Sequence, residues 1–204
     1  MRDAQAIARA HGGAITTKMA TAHGISRDQL HWLSHAAEVL VNIESGAYIL
    51  RDSDFPFPDV AAYVYRTAER TSAVAVASHD TALAMHAISD AMPARAHITV
   101  DRAPFRQKHP IEGVRLHFAP LPASDWNASQ GIPVTTVPRT IVDMVNVNTD
   151  LAQQAARDAV RGTRVSVRLL ARQIIQQVPE HAERDRIAHI LGVRGLTTEI
   201  RRQS

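Results

Sequence analysis

The sequence lacks several features, and each absence narrows the class of protein. None of its 204 residues is a cysteine, which excludes disulfides, thiol catalysis and cysteine-based zinc sites. It has no run of about 18 apolar residues, so no membrane span is predicted. The N-terminus lacks the apolar core of a signal peptide. We therefore expect a soluble cytoplasmic protein that makes no contact with a membrane.

The common signatures of phosphotransferases are also missing. The chain has no GxxxxGK[ST] loop, no glycine-rich nucleotide loop, and no HRD or DFG pattern. Its paired glycines, Gly12-Gly13, are too few to cradle a phosphate. The motifs thus give no independent support for nucleotide chemistry, and no cofactor is expected.

Charge is unevenly distributed along a mildly basic chain, whose net charge is +3 and whose pI is near 9.8. Residues 151–204 contain ten arginines and five acids, which gives +5, against −2 for residues 1–150. Such a tail binds nucleic acid or an acidic partner, or simply forms a solvated helix face. The candidate contacts on the tail and on a basic loop are Arg106, Lys108, Arg157, Arg161, Arg164, Arg168 and Arg172.

The stretch from Thr16 to Leu50 has the pattern of a helix-turn-helix. Thr16 or Thr17 can cap a short helix that ends at Gly24, where a tight turn needs left-handed backbone. Ser26 and Gln29 have the spacing of a capping box at the start of a second helix. The second helix of such modules usually enters the major groove. The predicted DNA contacts are Thr16, Thr17, Arg27, Gln29, His31, Ser34 and His35.

Two β-prone runs follow, Val39–Ile43 and Ala47–Leu50, joined by a short turn. A helix-turn-helix followed by a hairpin is a winged helix, which we place at residues 1–52. Four basic and four acidic residues make residues 1–50 neutral. Because phosphate binding depends on Lys and Arg, a protein-interaction module remains an alternative to a DNA-binding one.

Residues 53–204 are predicted to form a mixed α/β domain that becomes wholly helical from about residue 150. The proline-rich stretch at residues 52–58 marks the boundary between the domains. The fold class is therefore α+β. Helices are predicted over 1–11, 59–70, 79–91, 151–161, 165–177 and 180–191 and from Pro138, and strands or extended segments over 73–77, 97–100, 114–118 and 131–136.

Several short motifs occur in order along the chain, namely Gly12-Gly13-x-Ile15-Thr16-Thr17, Gly46-Ala47-Tyr48, Ser78 to His86, His97 to Val100, and Gly131 to Asp143. In this order and spacing they resemble the AbiEi-type antitoxins of bacterial abortive-infection systems. The arginine-rich tail is similar to that of actinobacterial members, including mycobacterial ones. The family usually has basic residues before and on the hairpin, whereas this chain has Ala36-Ala37-Glu38 and Glu44-Ser45.

The resemblance implies a winged helix that represses its own operon by binding operator DNA. It also implies a second domain that neutralises a nucleotidyltransferase-like toxin, directly or indirectly, so the basic residues above are candidate toxin contacts. An atypical serine kinase acting on the toxin is the enzymatic alternative, which would require ATP and a divalent metal. A plain repressor without a partner is a third interpretation.

A kinase would need catalytic groups, and a helix N-terminus is a natural anion site. The candidates are Ser78 and Asp80, together with Arg139 and Asp143. The alternative is structural, with Ser78 and Asp80 capping a helix and the other two forming an i,i+4 ion pair. Two histidine pairs, His31–His35 and His79–His86, lack an obvious third ligand, so no metal is expected.

Overall fold

A computed structural model describes residues 2–90, 93–102 and 110–204. It has an α+β fold with two sheets, which confirms the predicted α+β class. The helices in the described residues are α1 (Arg2–Ala10), α2 (Thr17–Ala22), α3 (Arg27–His35), α4 (Pro58–Thr71), α5 (His79–His86), α6 (Val137–Met144), α7 (Thr149–Arg161), α8 (Val167–Gln177), α9 (His181–Leu191) and α10 (Leu196–Gln203). The strands are β1 (Ala14–Thr16), β2 (Leu40–Glu44), β3 (Ala47–Leu50), β4 (Ala75–Ala77), β5 (Ala96–Val100), β6 (Val114–Phe118), β7 (Trp126–Ser129) and β8 (Ile132–Thr135).

The chain forms two compact units. The first comprises residues 1–77 and 94–134, and the second comprises residues 78–93 and 135–204. The first unit contains both sheets, while the second is built from helices α5 to α10. Among the described residues, none of the helices has both the length and the apolar character needed to cross a bilayer.

The N-terminal part of the first unit has an apolar core between three helices and a three-stranded sheet. The strand order is β1-β3-β2 with antiparallel pairing, so β1, which the sequence did not predict, lies at one edge. The predicted helices before and after Gly24 and the predicted hairpin are all present. The fully buried residues of this core include Ala4, Ile15, Ala20, Leu30 and Leu40.

The same part packs closely against the rest of the first unit, and glycines make this packing possible. A Cβ at Gly131 would lie 2.6 Å from the carbonyl oxygen of Ala10, and one at Gly12 would lie 2.5 Å from a side-chain carbon of Ile132. Both glycines have positive φ. The Tyr65 hydroxyl on α4 donates to the carbonyl of Gly131. The domain division predicted near residue 52 stays a prediction, but it does not coincide with the border between the compact units.

The second sheet of the first unit has the order β6-β5-β4-β8-β7 and contains both parallel and antiparallel pairs. Strand β4 pairs antiparallel with β5 and parallel with β8, and β5 pairs parallel with β6. Strand β7 was not predicted from the sequence. All five residues of β5 are buried, which is typical of a strand in the interior of a sheet that is covered on both faces.

The second unit buries small and aliphatic residues between its helices. Alanines on α7 allow close helix approach, and their core partners include Leu83, Ile141, Leu170 and Ile174. Helix α5 ends at His86 rather than at residue 91, because Ala87 adopts left-handed backbone (φ 49°) and closes the helix through bonds to α5 carbonyls. The other predicted helices of this unit are present with small shifts of their ends, and α10 is an additional helix.

Candidate nucleic-acid interface

A reciprocal capping box fixes the start of α3. The Ser26 hydroxyl accepts a hydrogen bond from the Gln29 amide at 3.1 Å, and the Gln29 side-chain oxygen accepts one from the Ser26 amide at 2.8 Å. The sequence predicted both interactions from spacing alone. The bond from the Ser26 amide occupies the side-chain oxygen of Gln29. A glutamine that recognises adenine through two hydrogen bonds needs that oxygen together with its side-chain nitrogen. Gln29 is therefore less suited to base recognition than we predicted.

Thr16 has a structural position that corrects its predicted contact with DNA. Its side chain is completely buried. The hydroxyl accepts a hydrogen bond from the Met19 amide at 3.1 Å, which caps α2, and donates to a carboxylate oxygen of Glu69 on α4. A hydroxyl with both roles filled and no exposed surface is not available to a phosphate or a base.

Helices α2, α3 and α4 and the β2–β3 turn surround a groove of about 670 Å³, here named the α2–α3 groove. Three of the predicted DNA contacts, Thr17, Arg27 and His31, line it. Lys18 and Arg66 also line the groove and were not among the predicted contacts. The full lining is Thr17, Lys18, Thr21, Arg27, Asp28, His31, Ser45, Gly46, Tyr48 and Arg66.

The groove has an excess of positive charge, although the charges of residues 1–50 sum to zero. Lys18, Arg27 and Arg66 line it, and Asp28 is the one carboxylate in the lining. Within the described chain, Arg66 pairs with Glu69 at 3.5 Å, whereas Lys18 and Arg27 have no ion pair. Folding thus separates charges that the sequence sum had cancelled, and the groove suits an anionic ligand.

Two other acids of the N-terminal part, Asp3 and Glu44, lie outside the lining of this groove. Glu44 pairs with Arg70 of α4 at 3.8 Å. Asp3 lines a separate cavity of about 230 Å³ together with Gln29 and Trp32, and Trp32 is 54% exposed. The side chains of α3 are therefore divided between two surfaces, and only the surface bearing Arg27 and His31 belongs to the α2–α3 groove.

The remaining predicted contacts on α3 lie beyond the groove lining. The His35 ring stacks on His31 with centroids 4.0 Å apart and planes 11° apart, and its Nδ1 donates to the His31 carbonyl at 3.0 Å. Ser34 is half-buried. Arg66 had no local signal in the sequence, because it lies on α4 after the linker and reaches the groove only through the fold.

The candidate catalytic pair on α6 is a closed ion pair. The Arg139 Nε donates to both carboxylate oxygens of Asp143 at 2.9 Å, and the two side chains are 4% and 10% exposed. The Gln177 amide also donates to Asp143 at 3.0 Å. This is the structural i,i+4 pair that the sequence offered as the alternative to catalysis.

Ser78 and Asp80 begin α5, but the Ser78 side chain does not cap the helix backbone. Its hydroxyl lies 2.9 Å from the His79 Nδ1, and both residues are buried. His86, at the other end of α5, donates from Nε2 to the Thr135 carbonyl at 2.7 Å, and burial lowers the pKa of its imidazole. Each predicted histidine pair thus has a ring nitrogen already engaged, and the absence of a metal remains a prediction.

A different histidine in the first unit has a strongly shifted pKa. His117 on β6 contacts His97 on β5 with ring centroids 5.1 Å apart. Burial, followed by repulsion from His97 and Arg115, lowers the pKa of His117 to about 4. No pattern in the sequence indicates this shift in pKa, because the contact between the two histidines arises from the pairing of β5 with β6.

The arginine-rich tail does not form one continuous stripe. Arg157 extends toward Gly192, Arg161 pairs with Asp158 at 3.6 Å, and Arg164 donates to the His86 carbonyl at 2.6 Å. Arg168 and Arg172 line a separate groove. The predicted contacts Arg106 and Lys108 lie outside the described residues.

Comparison with known proteins finds a similar fold. The crystal structure of the RV2827C protein from Mycobacterium tuberculosis aligns with a TM-score of 0.59 over 98% of this chain and 78% of that chain. The sequences are 14% identical, so the similarity concerns the fold alone. No family model and no curated protein matches the chain.

Proposed function

We propose that the N-terminal part is a winged helix that binds operator DNA through the α2–α3 groove, and that the protein is an AbiEi-type antitoxin that represses its own operon. The observation that carries the DNA-binding part is the convergence of Lys18, Arg27 and Arg66 on one groove beside α3. Support for the antitoxin part comes from the sequence motifs described above.

The groove chemistry supports binding to a DNA backbone. The cations occupy three separate elements, so they can contact successive phosphates while the capped N-terminus of α3 approaches the major groove. The hydroxyls of Thr17 and Tyr48 are suitable phosphate donors, whereas the Thr21 hydroxyl already donates to the Thr17 carbonyl at 2.9 Å. Because backbone contacts release counterions, each lost cation should reduce the salt dependence of binding as well as the affinity.

DNA binding is tested with the full chain and a labelled duplex spanning the region upstream of its own gene. We expect Lys18→Ala/Arg27→Ala to weaken binding at least about tenfold and to lower the slope of log affinity against log salt by about two. Arg9→Ala is the matched control, because Arg9 lies with Asp52 and Asp54 on another cavity. Equal affinity and slope for the double variant and the control would reject the groove as the DNA interface.

The antitoxin part requires a separate experiment with the protein encoded beside this gene. We expect co-expression with this chain to relieve growth inhibition by that protein, while its intact mass stays unchanged with and without ATP. If the mass of the neighbouring protein instead increases by one phosphate and the increase depends on ATP, the result favours the kinase alternative. Unrelieved toxicity, or a neighbour that is not toxic, would reject the antitoxin proposal and leave a repressor.

A further inference from the structure

Helices α8 and α10 of the second unit border a groove of about 640 Å³, here named the α8–α10 groove. Gln203 at the end of α10 holds one wall, since its amide donates to the Arg168 carbonyl at 3.3 Å and to Glu199 at 2.7 Å. The groove is lined by Arg168, Leu169, Arg172, Ile175, Gln176 and Gln203.

The lining contains two cations and no acid. Arg168 and Arg172 are four residues apart, so they lie on the same face of α8. Both are exposed, and within the described residues neither has an ion pair. Other arginines of this unit do have carboxylate partners, such as Arg201, which pairs with Asp185 at 3.0 Å. The α8–α10 groove therefore has positive charge that the second unit does not neutralise.

An apolar side chain lines the groove beside these cations. Leu169 is 51% exposed, and Ile175 further along α8 is half-buried. The opposite face of α8 already supplies the core through Leu170 and Ile174. Leu169 therefore does not belong to the core. Its position beside two arginines is typical of a protein interface, where exposed apolar residues and arginines occur together.

We propose that the α8–α10 groove is a docking site for an acidic amphipathic segment of a partner protein. Carboxylates of that segment pair with Arg168 and Arg172, and an aliphatic side chain packs on Leu169. The groove lacks an aromatic residue on which a base of single-stranded nucleic acid would stack, and backbone phosphates would leave Leu169 unused. This inference is independent of DNA binding by the first unit.

The test uses the full chain and a fluorescein-labelled peptide of Glu and Leu at helical spacing. We expect saturable binding that Arg168→Ala/Arg172→Ala weakens about tenfold, the effect of losing two charge pairs. Leu169→Ser should also weaken binding while leaving its salt dependence unchanged. Arg161→Ala is the matched control, since Arg161 is an exposed arginine of the same unit that pairs with Asp158 outside the groove.

A charge-reversed variant makes the test specific. Arg168→Glu/Arg172→Glu should lose the Glu–Leu peptide and gain a Lys–Leu peptide of the same pattern. The proposal is overturned if the double alanine variant binds like the control, or if wild type binds both peptides equally. It is also overturned if the groove variants reduce binding of an oligonucleotide but not of the peptide, or if they only change self-association. Circular dichroism and thermal melting confirm that each variant is folded.

Discussion

Arg139 on α6 and Arg27 on α3 both have an aspartate on their own helix, yet their surroundings differ. Arg139 is 4% exposed and enclosed by Asp143, which also accepts from Gln177. Arg27 is exposed in a groove with two further cations. A charge satisfied inside the fold supports structure, whereas one left at the surface is available to a ligand. The pair that resembled a catalytic constellation is thus of the first kind.

The prediction with the largest expected effect removes one partner of the enclosed Arg139–Asp143 pair. Arg139→Ala leaves the largely buried Asp143 carboxylate without the guanidinium that balances its charge, so we expect the free energy of unfolding to fall by about 3–5 kcal/mol. Urea denaturation followed by circular dichroism measures the change. Arg186→Ala, which removes an exposed pair with Glu183 at 2.7 Å in the same unit, should cause no comparable loss.

The opposite outcome has a clear meaning. If the urea midpoint of Arg139→Ala equals that of the wild type, the α6 ion pair does not stabilise the fold. The catalytic interpretation of Arg139 would then have to be tested. Arg139→Leu/Asp143→Leu sharpens the result further. Removing both charges together should cost less than removing one, because no buried charge is left alone.

A second prediction concerns a half-buried imidazole, that of His117. The pKa of His117 in the folded protein is about 4, below the ordinary value of 6.5. As pH falls from 6.5 toward 4, the unfolded chain binds a proton that the folded chain does not, so stability decreases over this window and is fully present above it. After allowance for partial solvent screening, the expected loss is about 1–2 kcal/mol.

Urea denaturation at several pH values tests this window. His117→Gln should flatten the curve between pH 6.5 and 4, once its stability at pH 8 has been taken as the reference. An unchanged slope in the variant would mean that other groups cause the acid sensitivity of the first unit.

A third prediction concerns the ligand-facing side of the comparison. Arg66 reaches the α2–α3 groove from α4, and it pairs only loosely with Glu69. We expect Arg66→Ala to weaken operator binding about threefold to tenfold and to reduce the salt slope by about one, as for one phosphate contact. Arg70→Ala, on the same helix but paired with Glu44, should have a smaller effect. Equal losses in both variants would indicate a general change of α4 rather than a contact.

Local features of the fold were predictable from the sequence. The Ser26–Gln29 capping box, the turn at Gly24, the hairpin and the α6 ion pair all depend on residues within four positions or on β-branched runs. Strand β1 was not predicted because three residues carry too little pattern. It forms because β3 provides partners for Ala14 to Thr16.

The candidate site was predictable only in part, because a groove is made by residues distant in sequence. Arg66 enters it from beyond the linker, and Thr16 leaves the surface because Glu69 accepts its hydroxyl. Summed charge also gave the wrong impression of residues 1–50, since a sum contains no positions. The role of Gly12 and Gly131 also depends on the fold, because each allows the segment around Gly12 to pack closely against the segment around Gly131.

The smallest expected effect tests whether the α3 cap serves the fold or the groove. Ser26→Ala removes the hydroxyl that accepts from Gln29 but no surface of the α2–α3 groove, so it should lower stability by about 1 kcal/mol. Ser166→Ala, which removes the equivalent cap of α8, should have a similar effect on stability and none on operator binding. If Ser26→Ala also weakens operator binding severalfold while the protein stays folded, the ordered first turn of α3 is itself part of the DNA interface. Arg27 would then depend on the capping box for its position, because it occupies the first residue of the helix that the box begins.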